Sequence, residues 1–182
     1  MSNCLQTKNQ SVLQHGISVM EHTSELIKIL QTNSIPDNWS IPEWMIKYRE
    51  NIFSSIYSWE DIEIYTKFHD CGKPYCLEID SNGNRHFPNH AEISASTWRT
   101  VGNERIARLI AMDMHVHQMK ACDIDDFIKQ PEAITLLVVA LAEVHSNASM
   151  FGGIDSTSFK IKMNQINRRG KAICIKLFGE KL

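Results

Sequence analysis

The sequence predicts an all-α protein: a helical bundle with a small hairpin in its middle and a basic helix at its C-terminal end. Three observations predict this. Apolar residues recur at helical spacing through most of the chain, as at Val12, Val19, Leu26, Ile27 and Leu30. The breaks between these runs carry Pro, Gly, Asn, Asp and Ser. The composition, 43% apolar and 22% charged over 182 residues, is that of an ordinary globular chain. It excludes a disordered chain, a collagen, a coiled-coil rod and a disulfide miniprotein. The length suits a single domain over 1–182, with a core bundle at 11–147 and a basic helix at 153–182 packed on it.

The elements follow in order. Residues 11–31 form a first helix, and 32–42, rich in Asn, Ser, Pro and Asp, form a loop. Residues 42–57 form a second helix with Pro42 at its first position. Ser58 caps a third, with Glu60 and Glu63 near its positive end. Cys71-Gly72-Lys73-Pro74 ends that helix near Asp70. Residues 75–88 contain the turn Asp80-Ser81-Asn82-Gly83-Asn84, which suits a small hairpin. Helices follow at 89–100, 103–120, 123–130 and 131–147. Phe151-Gly152-Gly153 breaks the chain, and Asp155-Ser156-Thr157-Ser158 caps a last helix running to about Phe178.

Net charge is −2, which predicts no general affinity for nucleic acid or membranes. From residue 153 onward, however, seven lysines and arginines stand against two acids. An acidic body therefore carries one basic helix, a solvated face or an anion-binding wall. The five cysteines, Cys4, Cys71, Cys76, Cys122 and Cys174, form no C-x-x-C pair and fit a reducing compartment. The N-terminus has no apolar signal region, and no apolar run approaches the ~20 residues that span a bilayer. A cytoplasmic protein without a membrane partner is expected.

Ionisable residues on apolar faces are the sharpest signal. His22 sits between Val19 and Leu26, and His69 follows Ile62 and Tyr65 with Asp70 beside it. His90 precedes Ile93, Asp113 follows Ile106, Leu109 and Ile110, and His145 follows Leu137, Val138 and Leu141. One buried histidine is more often a hydrogen-bonded core residue than a ligand. A buried carboxylate costs several kcal/mol unless it is paired or bound to a cation. Several such residues on separate helices are explained together by one or two divalent metal ions. Nitrogen and oxygen donors without thiolate suit Mn, Mg, Fe, Co, Ni or Zn.

Three stretches carry a family resemblance: Ser18-Val19-Met20-Glu21-His22-Thr23, Phe68-His69-Asp70-Cys71-Gly72-Lys73-Pro74 and His86-Phe87-Pro88-Asn89-His90-Ala91. A histidine in the first helix, a later His-Asp doublet and downstream His and Asp resemble the HD-domain metal-dependent phosphohydrolases. The block from His69 to His90 is similar to the HD modules of tRNA nucleotidyltransferases and of phage-type polynucleotide kinases. The resemblance spans roughly 11–147 and implies an HD-domain helical bundle. It implies that His22, His69 and Asp70 hold metal and that His90 serves a second metal or the substrate. The closing ligand is Asp113, with His145 beside Glu143 as the alternative.

The implied activity is hydrolysis of a phosphate ester, with a metal-activated water attacking phosphorus. Asp70, Lys73 and His90 are then the catalytic candidates. Lys73, Arg85, His86, Lys160 and Arg168, with Lys162 and Arg169, are candidates for gripping phosphates. His86 or His90 suits proton transfer to the leaving group. His15 and His117 read as outer or surface groups. The implied substrate is a nucleotide or a phosphorylated nucleic-acid end, such as a 2′,3′-cyclic phosphate or a 2′-phosphate. An HD-type di-iron oxygenase and a non-catalytic nucleotide-binding HD module are the competing expectations.

Overall fold

The computed structural model describes residues 1–179; the last three residues of the segment expected at 153–182 lie outside them. The chain is mostly helical. Its helices are α1 (Val12–Thr32), α2 (Glu43–Lys47), α3 (Arg49–Ser55) and α4 (Trp59–Phe68), then a 3-10 turn at Lys73–Tyr75. A two-stranded antiparallel ribbon follows, β1 (Glu78–Ile79) and β2 (Arg85–His86), pairing Glu78 with His86 and Ile79 with Arg85. Then come α5 (His90–Arg99), α6 (Glu104–Ala111), α7 (His115–Gln118), α8 (Ile124–Phe127), α9 (Ala133–Ser146) and α10 (Thr157–Phe178). No helix among the described residues is long and apolar enough to cross a membrane.

The described residues divide into two compact units. The first comprises Met1–Met20 and Ser58–Met114; the second comprises Glu21–Tyr57 and the chain from His115 onward.

In the first unit, α1 starts at a reciprocal cap. The Ser11 amide donates to Gln14 Oε1 (2.8 Å) and the Gln14 amide to Ser11 Oγ (3.2 Å). Ser58 caps α4 by accepting from the Asp61 amide, as expected. The expected hairpin is also present, and Asp80 ties its turn. Asp80 Oδ1 accepts from the amides of Asn82 and Asn84, both at 2.9 Å, and Gly83 takes a positive φ of 80°. Ile106, Ala107, Leu109 and Ile110 bury one side of α6. The helix expected over 103–120 is interrupted, because Met112 leaves helical geometry (φ −97°, ψ 2°). The break falls just before Asp113, whose carboxylate accepts from the Tyr65 hydroxyl at 2.5 Å.

In the second unit, α9 is buried almost all round, from Ala133 to His145. The helix expected over 42–57 appears as α2 and α3, broken at the buried Tyr48 (φ −105°, ψ 20°). Pro42 is the residue before α2 rather than its first residue. Neither break carries a Gly or Pro, so local propensity gave no warning; packing overrode it. Trp44 pins α2 to α10: its indole Nε1 donates to Asn167 Oδ1 (3.0 Å). A side chain at Gly170 would run into that indole, 2.2 Å from Cζ2. Ser156 caps α10 by accepting from the Phe159 amide (3.2 Å).

Candidate metal centre

The site lies in the first unit and is centred on Asp70, which is only 1% exposed. His69 closes α4 as its C-terminal cap and Asp70 follows at once. The doublet is buried because two backbones approach it closely. A Cβ on Gly16 would meet the Lys67 carbonyl oxygen at 2.2 Å, and one on Gly72 would meet the Ser94 amide nitrogen at 2.4 Å. The first contact seats α1 on the end of α4 and delivers His15. The second seats α5 on the turn after the doublet, where the Gly72 amide donates to Ser94 Oγ (2.8 Å). His90 is the first residue of α5, reached through Asn89 at a positive φ of 53°.

His15, His69 and Asp70 each offer a ligand atom, all within 4.8 Å of one another, and this buried group could hold a metal ion. His69 Nε2 lies 3.3 Å and His15 Nε2 3.8 Å from Asp70 Oδ2. On the other side, His90 Nε2 lies 3.7 Å from Asp70 Oδ1.

The backbone fixes the tautomers of two of these rings. His69 Nδ1 donates to the Thr66 carbonyl (2.7 Å) and His90 Nδ1 to the Phe87 carbonyl (3.0 Å). A carbonyl can only accept, so each Nδ1 carries a proton. Each ring then turns its Nε2 toward Asp70, at 3.3 Å for His69 and 3.7 Å for His90. Lone pair against carboxylate is repulsive unless a proton or a metal ion stands between them. This is the arrangement by which carbonyl-anchored imidazoles present nitrogen to a metal. Asp70 Oδ1 is buried and accepts no hydrogen bond among the described residues, so the carboxylate keeps capacity for a cation. The donor set fits a divalent ion.

Lys73 answers the same charge. Its Nζ donates to Asp70 Oδ2 (2.6 Å) and to Gln6 Oε1 (3.0 Å), and it lies over the Phe87 ring, 5.2 Å from the centroid. Burial by itself pushes the Asp70 carboxyl up. The charges of His69 and Lys73, the His69 hydrogen bond and the His15 charge outweigh that, and hold it well below the usual carboxylate range.

Of the residues expected from sequence, His69, Asp70, Lys73 and His90 come together here. His22 does not join the donor group. It lies two helical turns beyond His15, half-buried in the second unit, with its ring 6.0 Å from that of Trp39. His15, read as an outer residue, takes the first-helix position instead. Val12, His15, Val19, His22 and Leu26 share one stripe, so periodicity could not choose between the two histidines. Gly16 was the missed signal: a glycine inside a helix marks a close approach.

Asp113 is buried but outside the donor group, held by Tyr65, whose ring edges His69 at 6.4 Å. His145, the alternative ligand, lies in the second unit. It stacks on Trp39 (4.1 Å), meets the edge of Phe159 (5.1 Å) and donates from Nε2 to the Ser40 carbonyl (3.2 Å). Burial pushes its pKa down to about 4. Glu143 pairs with His117 Nε2 (3.0 Å). His86 is exposed on β2 and pairs with Asp80 Oδ2 (3.1 Å), and Arg85 is half-buried beside it. Lys160, Lys162 and Arg168 are exposed on α10, and Arg169 donates to the Met119 carbonyl. None of these belongs to the donor group.

Compared with known proteins, the chain matches no family model, no curated protein and no solved structure.

Proposed function

We propose that the protein is a metal-dependent phosphohydrolase of the HD type, acting on a nucleotide or a phosphorylated nucleic-acid end such as a 2′,3′-cyclic phosphate or 2′-phosphate. One observation carries this reading: two imidazoles, His69 and His90, anchored through Nδ1 to backbone carbonyls, both aim Nε2 at the buried carboxylate of Asp70. A hydrogen-bonded core histidine has no need of a shared carboxylate, and a surface pair would not be buried.

His15, His69 and Asp70 would hold the ion. The chemistry that a divalent ion supplies when bound is activation of water near neutral pH and neutralisation of phosphate charge. His90 has the most exposed side chain of the residues around Asp70, at 20%, and is the one that substrate reaches. Its Nδ1 anchor leaves Nε2 to hold and release a proton, the role needed at a departing oxygen. Lys73 brings a cation to the same end of the site, suited to a phosphate oxygen once it leaves Asp70. Five free thiols agree with a reducing, cytoplasmic setting.

The test is metal analysis of the purified protein followed by a phosphoester panel with Mn, Co, Ni and Mg. Turnover that vanishes on chelation and returns with metal is the expected result. Iron in stoichiometric pairs with oxygen uptake would identify an oxygenase instead. Nucleotide binding with no turnover on any member of the panel would identify a binding module.

A further inference from the structure

We propose that Lys73 is the resident cation of the metal-free site and sets its metal affinity by competing with the ion for Asp70. This rests on the metal reading above. The lysine ammonium and the candidate ligand atoms converge on one atom: Asp70 Oδ2 is 2.6 Å from Lys73 Nζ, 3.3 Å from His69 Nε2 and 3.8 Å from His15 Nε2. Two cations bonded to the same oxygen stand within two bond lengths of each other. Asp70 is 1% exposed and Lys73 8%, so water screens that repulsion poorly. The ammonium and a divalent ion therefore exclude one another at Oδ2, and one displaces the other.

The surroundings give the displaced ammonium somewhere to go. Gln6 Oε1 accepts from Nζ at 3.0 Å, and the Phe87 face lies 5.2 Å away. Both contacts are independent of Asp70. Metal entry thus converts Lys73 from the counter-ion of a carboxylate into a cation available to a phosphate. The site loads in a fixed order, with metal first and anion second. In the metal-free protein the same lysine compensates the charge of Asp70.

The test compares Mn2+ binding by calorimetry in the full-length protein and in Lys73→Met, Lys73→Gln and Lys73→Arg variants. If the ammonium holds Asp70 more than nine-tenths of the time, removing it tightens Mn2+ binding by about tenfold or more. Lys73→Met and Lys73→Gln should both show this gain, and Lys73→Arg, which keeps the charge, should not. Lys73→Gln can still donate to Asp70 and guards against a variant that fails to fold. Inorganic phosphate should bind the wild type with Mn2+ present and not without it. Unchanged or weaker Mn2+ binding in both neutral variants overturns the competition while leaving the metal site standing. Absence of Mn2+ binding in wild type and variants alike overturns both.

Discussion

The methylene of Gly16 faces the carbonyl oxygen of Lys67 so closely that a Cβ there would stand 2.2 Å from it. No real side chain tolerates such a distance to a backbone atom. In an exposed helix, replacing Gly by Ala gains about 1 kcal/mol. Here Gly16→Ala is expected to destabilise instead, by about 1–3 kcal/mol, as overpacking does. It should also part His15 from His69. Urea denaturation reads the stability, and metal content of the same preparation reads the site.

The two histidines of α1 separate the resemblance from the geometry. His15→Ala is expected to lose bound metal and activity, whereas His22→Ala should keep both. Metal titration of the two variants decides it. The reverse result would return the ligand role to His22.

Tyr65 acts through Asp113. Removing its hydroxyl in Tyr65→Phe takes a donor from a 6% exposed carboxylate. The expected cost is about 1–3 kcal/mol, the range for a hydrogen bond to a buried charged group. Chemical denaturation of the variant beside the wild type checks it, and an unchanged midpoint would overturn it.

His145 gives the second unit a pH dependence of known sign. Its folded pKa, pushed down by burial to about 4, lies below the ordinary 6.5. The unfolded chain therefore binds the proton more readily, and stability present above pH 6.5 is lost as pH falls toward 4. The shift is worth at most about 3 kcal/mol. His145→Gln, neutral throughout and able to donate to the Ser40 carbonyl, should flatten thermal stability across that window. An unchanged pH profile would remove His145 as the cause.

How far the sequence reached differs between fold and site. The long elements were legible because their apolar periods are long and their caps strong: Ser58 and Ser156 both accept from the amide three residues on. The interruptions at Tyr48 and Met112 were not, since nothing local marks them. The His69-Asp70 doublet, Lys73 and His90 were found because they fall in one short pattern, His69-Asp70-Cys71-Gly72-Lys73-Pro74 followed by His86 and His90 four residues apart. His15, Gln6 and Tyr65 were missed for one reason. Their place at the site depends on where α1, the N-terminal segment and α4 touch, and a side-chain period does not encode height along a helix. The partner of Lys73 was not legible, since its pairing with Asp70 follows from the burial of that carboxylate and not from spacing.

The ribbon at β1 and β2 pairs only two residues on each strand, and a two-stranded ribbon this short is barely stable in water. Asp80 alone gathers its turn, accepting from Asn82, Asn84 and His86. The segment behaves as a latch with one pin. Immediately beyond it lie Phe87, which anchors His90 through its carbonyl and carries the Lys73 ammonium on its ring. Local opening of the latch, seen as the earliest amide exchange in this unit, would slacken both at once. The rigidity of one wall of the site is thus leased from a single half-buried carboxylate.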